Sequence, residues 1–302
     1  MAAGARVASF ALLVAFAFGA AALTGSKLDP GVEANSHEGD EAQTHETTTG
    51  AGGDQHASAG AEPVVPGLAV AEGGFRLILD QTMVEPRANA PIGFRIVDGA
   101  GASVEDFDIE HERRMHLIVV RRDFSGFQHL HPVRQADGGW RARLDSRLPG
   151  TYRVFADFAS GGASLTLGGD LFVPGDFEPV PLEKPAAIAD AGDGYEVSVE
   201  SGELRAGESA ALRFRVSRGG RELPGVEPYL GADGHLVALR EGDLGFLHTH
   251  PEGKPGGSGP SRFQVAYPSE GRYRIFLQFK HDGEVRTAAF TQATAPHQDG
   301  ER

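Results

Sequence analysis

Six histidines of this chain fall into two triads of identical spacing. His116, His129 and His131 stand at i, i+13 and i+15, and His235, His248 and His250 repeat the interval. Neutral imidazole is a ligand for Zn(II) and Cu(II). Three of them on a rigid support make a ligand set that leaves a position for water or a further donor. The chain has 12 histidines and no cysteine, so disulfides, thiolate metal sites and cysteine nucleophiles are excluded, and any metal must be held by nitrogen, oxygen or thioether. A single histidine on a β-strand is more often a packed or hydrogen-bonded residue than a ligand. A triad kept in two otherwise diverged copies implies a constraint on imidazole itself, which either a metal ion or a shared hydrogen-bond network would satisfy.

The triads sit inside a longer repeat. Met115 to Arg121 (MHLIVVR) is echoed by Gly234 to Arg240 (GHLVALR), Phe127 to Pro132 (FQHLHP) by Phe246 to Pro251 (FLHTHP), and Gly150 to Phe155 by Gly271 to Phe276. Around these motifs, short alternating runs such as Phe75, Leu77 and Leu79 are separated by Gly, Pro, Asp and Asn, the pattern of strands with one buried face joined by turns. The 42 glycines and 18 prolines agree. The reading is an all-β chain of two tandem immunoglobulin-like (cupredoxin-like) β-sandwiches, residues 66–174 and 195–294, joined by a Pro-rich linker at 175–194. A Gly-x-Tyr late in each copy suits the strand-edge tyrosine of immunoglobulin folds. If Asp123 to Gly126 is a hairpin loop, Val120 opposes His129 and Ile118 opposes His131, with His116 on the same face. Likewise a Gly242 to Gly245 loop sets Leu239 against His248 and Val237 against His250, with His235 on their side. Two separate clusters, one per module, are expected.

Outside the repeats, Arg6 precedes an apolar run from Val7 to Leu23, an export signal that is either a cleaved peptide or a membrane anchor (residues 1–24). Residues 25–65 hold scarcely any large apolar side chain and read as a disordered spacer. Its His37, His45 and His56 lie among acidic residues that could collect cations weakly; residues 295–302 read as a disordered tail. The formal charge of −14 and the lack of a basic patch argue against nucleic acid. Weaker candidates have plainer explanations. Met115 is sent to the opposite face by strand alternation, Asp123 and Asp243 suit turns, Glu110-His111-Glu112 reads as an exposed lead into a strand, and Lys280-His281-Asp282 before Gly283 reads as a hairpin tip. Asp157 is replaced by Gln278 in the second copy, which weakens a shared general acid or base.

The MHLIVVRRD and FQHLHP segments, with GHLVALR and FLHTHP, resemble a group of secreted or membrane-anchored actinobacterial proteins with duplicated His-x-His-Pro motifs, similar to the YtkA and FixH immunoglobulin-like domains. That resemblance implies a copper-related role and raises copper above zinc; it implies no activity. Three functions are weighed. The first is an extracytoplasmic metal binder that sequesters or passes on copper (or zinc). The second is a non-enzymatic cell-envelope interaction module, with a protein partner, whose histidines serve the fold. The third is a metalloenzyme with an open metal position. The N-terminal segment, if uncleaved, supplies a membrane contact.

Overall fold

The computed structural model describes residues 65–297. The apolar run at 7–23, residues 25–64 of the spacer and the end of the tail lie outside them. Among the described residues no helix is long and apolar enough to cross a membrane, and the secondary structure is strand and turn.

The first module contains β1 (Ala71–Glu72), β2 (Phe75–Leu79), β3 (Ala90–Val97), β4 (His116–Arg121), β5 (Gln128–Leu130), β6 (Val133–Arg134), β7 (Trp140–Leu144), β8 (Gly150–Ser160) and β9 (Ala163–Val173). Its sheets run β1-β2-β3-β7-β6 and β5-β4-β8-β9. The second module contains β10 (Ile188–Gly192), β11 (Tyr195–Ser201), β12 (Glu208–Arg218), β13 (Arg221–Glu222), β14 (His235–Arg240), β15 (Phe246–Leu247), β16 (Thr249–Glu252), β17 (Ser261–Tyr267), β18 (Gly271–His281) and β19 (Glu284–Thr294). These form β10-β11-β12-β17-β16, with β13 on β12, and β15-β14-β18-β19. The stretch read as linker therefore gives up its last residues to β10. Ile188, Ala189 and Asp190 pair with β11 in antiparallel register.

Each module closes on its own core. Leu77, Ile92, Phe94, Leu117, Val119 and Trp140 fill the first; Val197, Phe214, Leu236, Ala238, Phe263 and Ile275 fill the second. The late tyrosines are immunoglobulin-like in bonding as well as position. Tyr152 Oη donates to Leu148 O at 2.8 Å and Tyr273 Oη to Ser269 O at 2.8 Å, each reaching back a few residues from the start of its strand.

A third core joins the modules. Strand β4 reads His-Leu-Ile-Val-Val-Arg and is buried at all six positions. A continuous apolar run of this kind marks a strand covered on both faces. Leu117 and Val119 point into the first core, while Ile118 and Val120 meet Val237 and Leu239 of β14, with Phe155, Phe246 and Phe276 around them. Phe127 stacks on Phe276 at 4.0 Å between ring centroids. Each large apolar side chain removed from water here contributes roughly 1.5–3 kcal/mol. The β4 and β14 sheets thus face each other, a contact between the modules that the sequence reading did not include.

Candidate metal centre at the module junction

His116 opens β4 and points to the same face as Ile118 and Val120, so it lies at the margin of the junction. The β4–β5 hairpin brings His129 opposite Ile118, two residues out of the expected register. The slip has a local cause. Asp123 accepts from Arg121 Nε at 2.9 Å, from Ser125 Oγ at 2.7 Å and from Val180 N at 2.8 Å, and Arg121 N donates to Ser125 O at 2.9 Å. That closes the turn early and leaves Gly126 and Phe127 to be absorbed before β5. Burial opposes ionisation of Asp123, yet Arg121 and these donors hold its carboxyl down at about 2. Asp243 makes the same turn with Arg240 and Gly245, so both aspartates do what turn chemistry expects. Phe124 (φ 68°) and Leu244 (φ 62°) carry the left-handed backbone and point into the third core. A slip of two residues leaves every side chain on its original face, and the first triad still converges.

Ligand nitrogens of His116, His129 and His131 all lie within 4.8 Å of one another. His116 Nδ1 sits 2.9 Å from His129 Nε2, His116 Nε2 lies 3.1 Å from Glu110 O, and His129 Nδ1 lies 2.6 Å from Gln278 Oε1. His131 Nε2 is buried with no hydrogen-bond partner. A carbonyl oxygen only accepts, so His116 carries its proton on Nε2 and presents Nδ1 as a lone pair. The Gln278 carbonyl likewise fixes a proton on His129 Nδ1 and leaves Nε2 as a lone pair. Two lone pairs at 2.9 Å repel unless a proton or a cation lies between them. Burial, the leading cause, lowers His116 to about 4, His129 to about 3 and His131 to about 4; the neighbouring imidazoles act in the same direction. A shared proton is therefore disfavoured at neutral pH. The remaining solution is an amide turned over at Gln278, whose NH2 would donate to His129 Nδ1 and move the proton to Nε2; the oxygen and nitrogen of an amide are exchanged by one rotation. Outward nitrogens tied to carbonyls, with inward nitrogens bare, is the arrangement of metal-bound imidazoles.

The second triad does not gather. His235 leaves its own copy and stacks on the first cluster, 4.6 Å from the ring of His129 and 5.5 Å from that of His116. His248 and His250 are exposed, their rings 6.4 Å apart. The reason is where the chain changes sheet. In the first copy β5 stays on β4 through Leu130. In the second, β15 ends at Leu247 and β16 pairs with β17, placing His250 against Gln264. The expected partners Leu239 and Val237 instead face Phe246 and the first module.

His111 is the residue that sequence reasoning set aside. Glu110 and Arg113 exchange two backbone hydrogen bonds of 2.9 Å, and His111 and Glu112 take positive φ, a tight turn rather than an exposed lead. It carries the His111 ring to 6.1 Å from His116 and 5.6 Å from His235. Gln278 was also missed as a partner, since nothing local in sequence pairs it with His129. The hairpin tip at Lys280 to Gly283 is as expected: His281 pairs with Glu284, and Asp282 and Gly283 both take positive φ. Asp157, the repeat equivalent of Gln278, accepts from Thr166 Oγ1 at 2.7 Å. Burial pushes its carboxyl above the ordinary range against that bond.

Fold and site define an all-β protein of two tandem sandwiches with an imidazole cluster at their junction. Over residues 69–173 and again over 189–296 the chain matches the family described as Domain of unknown function (DUF8832); it belongs to that family and carries the domain twice. No curated protein matches it in sequence. Among solved structures, the Escherichia coli adhesin FdeC is 10% identical over 75% of this chain and 66% of that one, with a TM-score of 0.24. Yersinia pseudotuberculosis InvD is 14% identical over 76% of this chain and 60% of that one, with a TM-score of 0.24. The titin tandem A164-A165 is 11% identical over 73% and 97%, with a TM-score of 0.19. The chain thus spans less than two thirds of the FdeC and InvD chains. Likenesses this slight bear on neither mechanism nor partner.

Proposed function

We propose that the protein is an extracytoplasmic metal binder that holds one copper or zinc ion on His116, His129 and His131 for sequestration or transfer. The observation that carries this is the facing pair of nitrogens at 2.9 Å, with the far side of each ring against an oxygen of Glu110 or Gln278. The bare, buried Nε2 of His131 adds a third donor. Imidazole suits both ions; the preference for copper rests on the YtkA and FixH resemblance. Export rests on the apolar run at residues 7–23, which either anchors the chain or is removed.

A second reading, an envelope interaction module whose histidines are structural, is favoured by one observation: the bond between His129 and Gln278 ties the two modules together. Metal analysis and Cu(II) and Zn(II) titration, comparing the wild type with His129→Ala/His131→Ala, separate the two. The metal reading expects one tight ion in the wild type and its loss in the variant. Purified protein that is metal-free and indifferent to added ions supports the structural role.

A further inference from the structure

The repeat pairs His116 with His235, His129 with His248, His131 with His250 and Gln278 with Asp157. At the junction the first copy's histidines close on Gln278 of the second. The second copy's histidines instead share a cavity of about 290 Å³ with Asp157 of the first, which Glu110 and His111 also line beside Leu236 and Phe246. We propose that this cavity is an outer cation site through which the ion is loaded onto, and withdrawn from, the buried triad. The inference rests on the metal reading of the triad and adds the route.

Three features carry it. Imidazoles stand at both ends of the cavity: His248 and His250 are exposed at it, His235 and His111 line it, and His235 lies 4.6 Å from the ring of His129 while His111 lies 6.1 Å from that of His116. Asp157 accepts from Thr166, and with Glu110 it gives the cavity oxygen donors beside nitrogen. The donors are spread too widely to close on one ion, since the triad is the only tight histidine and carboxylate group among the described residues. Open coordination of this kind suits a site that captures and releases. The other approach to the centre is unfavourable for a cation. The cavity on the far side of His131 is lined by Arg141 and Arg143. Clefts of one charge sign concentrate ions of the opposite sign and speed their arrival.

The test is stopped-flow loading of the full chain with Cu(II), followed by quenching of the chain's one tryptophan, with withdrawal by a chelator and Kd by chelator competition. His248→Ala/His250→Ala removes exposed side chains, and Asp157→Asn keeps the Thr166 hydrogen bond while replacing the carboxyl by an amide. Each is expected to slow loading and withdrawal together by tenfold or more and to leave Kd within about twofold, because a route alters both rates and not the equilibrium. Unchanged rates in both variants, with wild-type uptake intact, would overturn the route alone. A tenfold weaker Kd in His248→Ala/His250→Ala would also overturn it, since those residues would then be ligands of the final site. A wild type with no saturable uptake would overturn the metal reading and the route with it.

Discussion

Gln278 gives the sharpest single-residue test because it sits on one module and acts on a ligand of the other. Its side chain is buried, and its Oε1 accepts from His129 Nδ1 at 2.6 Å. With Gln278→Ala the donor that points His129 Nε2 inward is left without an acceptor in a dry site. A neutral hydrogen bond is worth about 0.5–1.5 kcal/mol net, but the ring N–H of a metal-bound imidazole is polarised, and loss of such an outer partner typically costs 10–100-fold in metal affinity. At about 1.4 kcal/mol per tenfold, the expected loss is roughly 1.4–2.8 kcal/mol. Gln278→Glu restores an acceptor and adds charge, so it should bind at least as tightly as the wild type. Chelator competition with Cu(II) and with Zn(II) at pH 7 reads both, and thermal melting checks that each variant is folded. A Kd for Gln278→Ala within twofold of wild type would refute the claim that the carbonyl sets the tautomer of His129.

Phe276→Ala removes half of a stacked pair from the core between the modules; truncation of a buried phenylalanine costs about 3–5 kcal/mol, and a change under 1 kcal/mol in urea unfolding would show that the modules are not held together there. Tyr152→Phe deletes the 2.8 Å bond to Leu148 O and should cost about 1 kcal/mol by the same assay, without changing metal affinity. The pH dependence follows from burial, which holds the folded His116, His129 and His131 at about 4, 3 and 4 against an ordinary value of about 6.5. Between those values the unfolded chain binds more protons than the folded one, so metal-free protein should lose stability as pH falls from 6.5 towards 4; a urea midpoint flat or rising on acidification over that window contradicts it. Ion uptake, which needs neutral imidazole, should be flat from pH 7 to about 5 and fall only below that.

Much of the fold was legible in sequence because the repeat fixes it. The alternating runs, the Asp123 and Asp243 turns and the late tyrosines each report local chemistry, and the structure has them where that chemistry puts them. What lay beyond reach was the meeting of the two copies. Leu117-Ile118-Val119-Val120 and Leu236-Val237-Ala238-Leu239 are apolar at every position, which is the signature of a strand covered on both sides, a signal present in the sequence that the hairpin reading did not use. Without it the triads look like two equal sites. The divergence between the copies is decided by a sheet change after Leu130 in one and after Leu247 in the other, and backbone pairing of that kind leaves no mark in a His-x-His-Pro motif. His111 needed the left-handed turn at 111 and 112 to arrive at the cluster, and Gln278 is 149 positions from the histidine it holds.

The position of a bound ion is the most direct measure of the junction site. Crystals of the full chain grown with Cu(II) and measured at the copper edge should show one strong anomalous peak per chain inside the junction, bonded to His116 Nδ1, His129 Nε2 and His131 Nε2. Two equal peaks, one per module, or none within reach of those three nitrogens, would contradict it.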